Sequence, residues 1–224
     1  MDEVMPGEMI LMDKIIFRDL CSADLPKIRK IVNDSWDWAS LFEKQEALEA
    51  TLGLYVNMAL HKSSFTKVAV LDSQPVGVIM GYVDGDEPVG RLLIDDPAIY
   101  TLALLNTVGH DQKAVYEYLS KTQEAYDKLY ETVGIDYDAN LVFIAVAEKA
   151  RGLNVGKQLW FKLLDYLKQK DVQSVYLFSD TECNFGFYDH MGFTKRASLE
   201  TQFVFEDTPG NFDQTIFLYD FWVV

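Results

Sequence analysis

Apolar residues along this chain follow two rhythms. Leu25, Ile28, Ile31 and Val32 recur three and four residues apart, as on one face of a helix, and the polar Ser22-Ala23-Asp24 stands ahead of them as an N-cap signal. A second helical stretch runs over about 41–60. A third places Val155, Leu159, Trp160, Leu163, Leu164 and Leu167 on one apolar face. Short apolar runs at 14–18, 67–71, 76–83, 141–147, 174–178, 200–205 and 215–222 predict strands. Asp72-Ser73-Gln74-Pro75 supplies turn chemistry between the second and third of these, so a hairpin is expected there. The runs LVFIAVA (141–147) and SVYLF (174–178) are continuous rather than alternating, the pattern of strands buried on both faces. Strands alternate with helices in the middle and pair as hairpins at the ends, which predicts a mixed α/β or α+β sheet.

The stretch from about 84 to 140 reads as a helical insertion within one domain spanning 1–224. Residues 97–108 and 112–133 have helical character, with Gly109 and Gly134 as stops. Tyr116, Leu119, Tyr126 and Tyr130 form a stripe on the second helix. It is either ordinary packing of a helical pair or a lid, a substrate wall or a dimer contact. A homodimer is left open.

Composition narrows the function. With 49% apolar residues, the chain can bury a sizeable core. A formal net charge of −15 repels phosphate backbones, so nucleic-acid binding is not expected, whereas a cationic amine would be attracted. Cys21 and Cys183 are too few for a disulfide framework, and a reducing cytoplasm is the default expectation. The acidic MDEVMPGEMI start lacks the basic character of a signal peptide, and no apolar run reaches the length of a membrane span. His61, His110 and His190 are isolated in sequence, and no spacing suggests a metal site.

The strongest chemical signal is Arg151-Gly152-Leu153-Asn154-Val155-Gly156-Lys157, between an apolar strand and an amphipathic helix. Amides at a helix start have no internal acceptor and, with the helix dipole, can converge on an anion. Arg151 and Lys157 add positive charge. A P-loop is excluded, because three residues rather than four separate Gly152 from Gly156 and Gln158 follows Lys157; the dinucleotide pattern G-x-G-x-x-G is also absent. What remains is an anion-binding turn or a plain strand-to-helix turn bearing surface charges.

This segment resembles the Arg/Gln-x-x-Gly-x-Gly/Ala motif of the GNAT N-acetyltransferase superfamily. Arg151 fills the first position, Gly156 the last, and Asn154 stands where a glycine is usual. Asn tolerates left-handed backbone, so the loop is expected to keep its shape. The segment Asn184-Phe185-Gly186-Phe187-Tyr188 through Gly192-Phe193 resembles the family's second signature. The resemblance implies a twisted, mostly antiparallel sheet of about seven strands flanked by helices, in which the strands at 141–147 and 174–178 run parallel and splay apart.

It also implies acetyl-CoA as cosubstrate. The pyrophosphate would be held at Arg151, Gly152, Asn154, Val155, Gly156 and Lys157, and the pantetheine arm along the backbone of Ile144 and Val146. Asn184 would bond the pantetheine amides or cap its own helix. Tyr188 would be the general acid for the leaving thiolate, since a phenol is protonated at neutral pH; its alternative is simple packing. Cys183 lacks a histidine partner and reads as an inert thiol. The resemblance puts a glutamate near the start of the strand before the turn, but Asp136-Tyr137-Asp138 stands there. Asp138 is a candidate base by chemistry or else a solvated loop aspartate, and the base is left unassigned. The expected activity is direct transfer of acetyl to a primary amine of a small cationic molecule. The alternatives are a non-catalytic acyl-CoA-binding module and a protein or peptide N-acetyltransferase.

Overall fold

The computed structural model describes residues 15–94, 96–106, 110–203 and 212–223. The seven expected strands are β1 (Ile15–Arg18), β2 (Phe65–Leu71), β3 (Gln74–Val83), β4 (Ala139–Val146), β5 (Ser174–Asp180), β6 (Thr194–Phe203) and β7 (Phe212–Trp222). They form one sheet in the order β1-β2-β3-β4-β5-β7-β6. Every pairing is antiparallel except β4 with β5. The helices are α1 (Leu25–Trp36), α2 (Gln45–Lys62), α3 (Pro97–Leu105), α4 (His110–Val133), α5 (Val155–Gln169) and α6 (Gly186–His190). Residues 107–109, including the expected stop at Gly109, lie outside the described residues.

Several boundaries move for identifiable reasons. Ser22–Asp24 folds as a single 3-10 turn, and Asp24 does not cap α1. Its carboxylate instead accepts from both Arg18 guanidinium nitrogens (2.7 and 2.8 Å) and from the Cys21 amide (2.9 Å). The stretch expected to be helical from 41 begins only at Gln45, because Trp38–Leu41 forms its own 3-10 turn. Strand β6 starts at Thr194, six residues before the expected run, since its exposed positions hide the strand pattern; Phe205 lies outside the described residues.

Each face of the sheet has its own cover. On one face α5 lies over β3 and β4, with Leu159, Leu163 and Leu167 fully buried. Each such leucine contributes about 1.5–3 kcal/mol of transfer free energy. Helix α5 comes this close because Gly77 and Gly81 leave room: an added Cβ would lie 2.8 Å from Val155 Cγ1 and 2.7 Å from Leu163 Cδ1. The opposite face is shared. Helices α1 and α2 cover its β2–β4 part. Helix α4, from the expected insertion, covers β5, β7 and β6 through Ala125, Leu129, Ile216 and Leu218. The aromatic stripe is real but shifted. Tyr126 and Tyr130 face this core, whereas Tyr116 is 76% exposed.

Two features of the centre depart from regular pairing. Between Met80 and Gly81 the β3–β4 register jumps, so Leu141 and Phe143 face successive β3 residues and Val142 is extra. This bulge reverses the alternation. Ala139 and Leu141 face α5, whereas Phe143 and Ala145 face α1 and α2. The continuous apolar run of 141–147 thus records a change of side; Ile144 and Val146 are only partly buried. Strands β4 and β5 are in register only at Ala139↔Val175 and Asn140↔Tyr176, and then separate. Strand β5 likewise alternates, with Val175 and Leu177 against α5 and Tyr176 and Phe178 against α4.

Candidate active site

The turn after β4 has the shape expected of it. Gly152 takes φ +79° and Asn154 takes φ 58°, ψ 17°, both left-handed. Asn154 thus adopts the left-handed backbone that asparagine tolerates. The first α5 hydrogen bond runs from the Gln158 amide to the Asn154 carbonyl at 3.0 Å. The amides of Val155, Gly156 and Lys157 therefore precede the helical ladder and have no acceptor within it. The Val155 side chain is in the core at 1% exposure, so only its backbone is available to a ligand. Arg151 and Lys157 are exposed, and Lys157 Nζ lies 5.6 Å from the Phe161 ring centroid.

The second signature docks onto the first. A Cβ on Gly156 would lie 3.3 Å from Phe187 Cε2 and 3.7 Å from Val146 Cγ2. Glycine there lets the start of α5, the end of β4 and helix α6 meet. Phe187 then orients its neighbour Tyr188, whose ring packs on Phe187, Phe193 and Tyr219 with centroids 5.5, 5.8 and 5.7 Å away. Gly192 takes φ +86° and turns the chain so that the Phe193 amide bonds the Tyr188 carbonyl at 3.0 Å. Burial holds the Tyr188 phenol well above its ordinary pKa, with smaller contributions from Cys183, Tyr55 and Asp180. The phenol is thus fully protonated at neutral pH, within the field of groups converging on the splay.

Asn184 lies at the exposed edge of this assembly. Its side chain makes no cap hydrogen bond; the cap position falls on Phe185, and only the Asn184 backbone carbonyl engages α6, accepting from Phe187 at 3.1 Å. Cys183 is half-buried just after β5. Its thiol is pushed up to about 12, chiefly by burial and then by the Asp180 charge, while Trp36 Nε1 donates to Sγ at 2.9 Å. Such a thiol is not a nucleophile at neutral pH. Asp138 sits at the paired end of the splay and fastens it. Its Oδ2 accepts from the Gln173 amide, the Ser174 amide and the Ser174 hydroxyl at 2.9, 2.9 and 3.1 Å. It is neither a free base nor a merely solvated loop residue.

Sequence reasoning missed what stands at the open end. Asp180 ends β5, and its Oδ1 accepts the amides of Glu182 and Cys183 at 2.9 and 3.0 Å. Rings from separate elements cover the same face of the sheet. Trp36 contacts Tyr55 at 5.9 Å and Phe143 at 6.2 Å, Trp38 contacts Tyr118 at 6.3 Å, and Tyr126 stacks on Phe178 at 4.0 Å with an interplanar angle of 4°. The Trp38–Tyr118 contact joins the α1–α2 connection to α4, so the inserted helix reaches across the splay. Only the period-2 count along β5, which puts Tyr176, Phe178 and Asp180 on one face, was legible beforehand. Among the described residues, no cluster of three or more His, Cys, Asp or Glu is placed to hold a metal, and no helix is long and apolar enough to cross a membrane.

Comparison with known proteins gives the same outline. Residues 124–193, from mid-α4 through β4, α5, β5 and α6, match the model of the Acetyltransferase (GNAT) family. No curated protein sequence gives a match. Among solved structures, the ribosomal-protein-S18-alanine N-acetyltransferase from Escherichia coli aligns with a TM-score of 0.53 at 12% identity, over 93% of this chain and 94% of that one. A mutant agmatine N-acetyltransferase in its apo form gives 0.56 at 12% identity, over 93% and 100% of the two chains. Ard1 from Thermoplasma volcanium gives 0.52 at 17% identity, over 94% and 99%. At these identities the likeness is one of fold.

Proposed function

We infer, for a chain that belongs to the GNAT acetyltransferase family by its central segment and its fold, that it moves acetyl directly from acetyl-CoA to the primary amine of a small cationic molecule. The observation that carries this reading is the meeting of the left-handed turn at Gly152 and Asn154 with Tyr188, across Gly156 and Phe187, at the mouth of the β4–β5 splay. The amides of Val155, Gly156 and Lys157 would take the pyrophosphate, helped by the dipole of α5 and the charges of Arg151 and Lys157. Past Asn140, β4 no longer pairs with β5, so the backbone around Ile144 and Val146 is available to the pantetheine arm; Asn184 stands at the rim.

In the proposed reaction the acceptor's ammonium first loses a proton to solvent water, and the freed lone pair attacks the thioester carbon. The C–S bond breaks, and the nitrogen gives up its second proton to solvent as the amide forms. The Tyr188 hydroxyl gives its proton to the departing sulfur and is later reprotonated from solvent. The burial that raises the phenol also raises the proton affinity of a thiolate formed beside it, which keeps the transfer feasible.

A small acceptor is favoured over a protein segment because α4 spans the splay through Tyr118 and Trp38 rather than leaving an open groove. The acceptors named for similar folds include agmatine and a ribosomal-protein alanine; the net charge of −15 favours the cation. A cytoplasmic setting belongs to the same proposal. Calorimetric titration with acetyl-CoA tests the binding half: saturable one-site binding is expected, and no heat up to high micromolar cofactor overturns the reading.

A further inference from the structure

The amine's own site remains to be identified, and a partly buried carboxylate, Asp180, ends β5 on the face of the sheet where rings of several elements gather. Asp180 shares its face of β5 with Tyr176 and Phe178, and Tyr126 of α4 lies flat on Phe178. Beyond that stacked pair the chain turns away at Glu182 and Cys183, whose amides both bond Asp180 Oδ1. The carboxylate is thereby pinned at the strand end. Cys183 then links it to the α1 side, because its Sγ accepts from Trp36 Nε1, and the Trp36 ring meets Tyr55 of α2 and Phe143 of β4. Four elements thus bring aromatic surface to one partly buried carboxylate.

Among the described residues, no lysine, arginine or histidine pairs with Asp180, although other carboxylates in the molecule have such partners, as Asp24 has Arg18 and Asp220 has Arg196. The Asp180 charge also reaches the phenols of Tyr55, Tyr118 and Tyr188 and helps to raise each of them. By the alternation of β5, Asp180 lies on the side of the strand away from α5, and so apart from the turn at Gly152 and Asn154. A negative group among π-faces is complementary to an ammonium ion carrying an apolar body: the carboxylate takes the charge, and the rings take both the cation and its hydrocarbon.

We propose that Asp180 is the residue that binds the acceptor's ammonium group, and that Trp36, Tyr55 and Tyr118 receive the body of the ligand, selecting small primary alkylammonium ions with an aromatic or apolar body. This rests on the N-acetyltransferase reading for its place in the reaction, but its binding test is independent of it. Asp180→Asn removes the charge and keeps an oxygen to accept the Glu182 and Cys183 amides, so the turn is retained. Glu182→Gln removes a neighbouring exposed charge and serves as the control.

Phenethylammonium and its neutral counterpart 2-phenylethanol are titrated against each protein, with tryptophan fluorescence as the readout, and acetyl-CoA is titrated calorimetrically on the same samples. The expected result is saturable binding of the cation, weakened about tenfold in Asp180→Asn and changed less than about twofold in Glu182→Gln, with the alcohol binding about tenfold more weakly than the cation to the unmodified protein. Equal affinity of Asp180→Asn and the unmodified protein, equal affinity for cation and alcohol, an equal loss in Glu182→Gln, or no binding of the cation overturns the proposal. Amine binding with these preferences but without acetyl-CoA binding overturns the transferase reading and leaves the ammonium site standing.

Discussion

At the scale of single residues, the protein depends on a few side chains in uncommon conformations or pairings. Asn154 is one. At φ 58° a β-branched side chain is strained, whereas glycine is not. Asn154→Gly is expected to keep acetyl-CoA affinity within about twofold, and Asn154→Val to weaken it by about tenfold or more through distortion of the turn, at a cost of about 1–2 kcal/mol. Calorimetry on the two variants checks this. Asp24 is another, with its side chain 6% exposed beside an Arg18 side chain 40% exposed. The Arg18 guanidinium, first by hydrogen bonding, holds the Asp24 carboxyl below its ordinary 3.8. The unfolded chain therefore binds this proton more readily than the folded one. The contribution is complete above pH about 4 and declines as pH falls through the lowered folded value. Asp24→Asn should lower unfolding free energy by about 1–3 kcal/mol at pH 7, and the gap between variant and parent should narrow in denaturant melts below pH about 4. A gap that is constant with pH contradicts the assignment. Tyr188→Phe tests the acid: turnover should fall about 100-fold with acetyl-CoA affinity unchanged, and unchanged turnover where chemistry limits the rate removes Tyr188 from that role.

At the scale of elements, the site is a junction of ends: the end of β4, the start of α5, the end of β5 and the whole of α6. Gly156 lets that junction close tightly, since an added Cβ would lie 3.3 Å from the Phe187 ring and 3.7 Å from Val146 Cγ2. Gly156→Val should push α6 outward and displace the Tyr188 ring. A loss of both acetyl-CoA affinity and turnover by about tenfold or more is predicted, with about 1–3 kcal/mol of destabilisation from overpacking. The pattern of residues foretold these elements unevenly. Helix α5 and strands β2, β3 and β5 were legible because burial imposes a period on apolar positions. The left-handed turn was legible because Gly152 and Asn154 are the residue types that adopt it. The bulge at Val142 was not, because a reversal of sides and burial on both sides both produce an unbroken apolar run. Strand β6 was obscured by its exposed face. Asp180 was hidden by its ordinary sequence context; its standing comes from Trp36, Tyr55 and Tyr118, which lie more than sixty residues from it on α1, α2 and α4.

At the scale of the whole molecule, two halves of a sheet meet at one incomplete seam, and each half has its own helical cover on the second face. Helices α1 and α2 serve β2–β4, and α4 serves β5, β7 and β6. The seam is closed at one end by Asp138 and left open at the other, where Asp180, Tyr188 and the aromatic walls gather. In the proposed arrangement the turn at Gly152 and Asn154 would hold acetyl-CoA on the α5 side and Asp180 would take the amine on the side of α1, α2 and α4, so that two ligands would approach the gap from opposite faces. The measurement that tests this account most directly is thiol release from acetyl-CoA over a panel of small primary amines. The account predicts release that saturates with the amine, is faster for cationic amines with apolar bodies than for peptides, and yields one acetylated amine per thiol. Acetyl-CoA binding with no amine-dependent release across the panel would contradict it and make the chain an acyl-CoA-binding module.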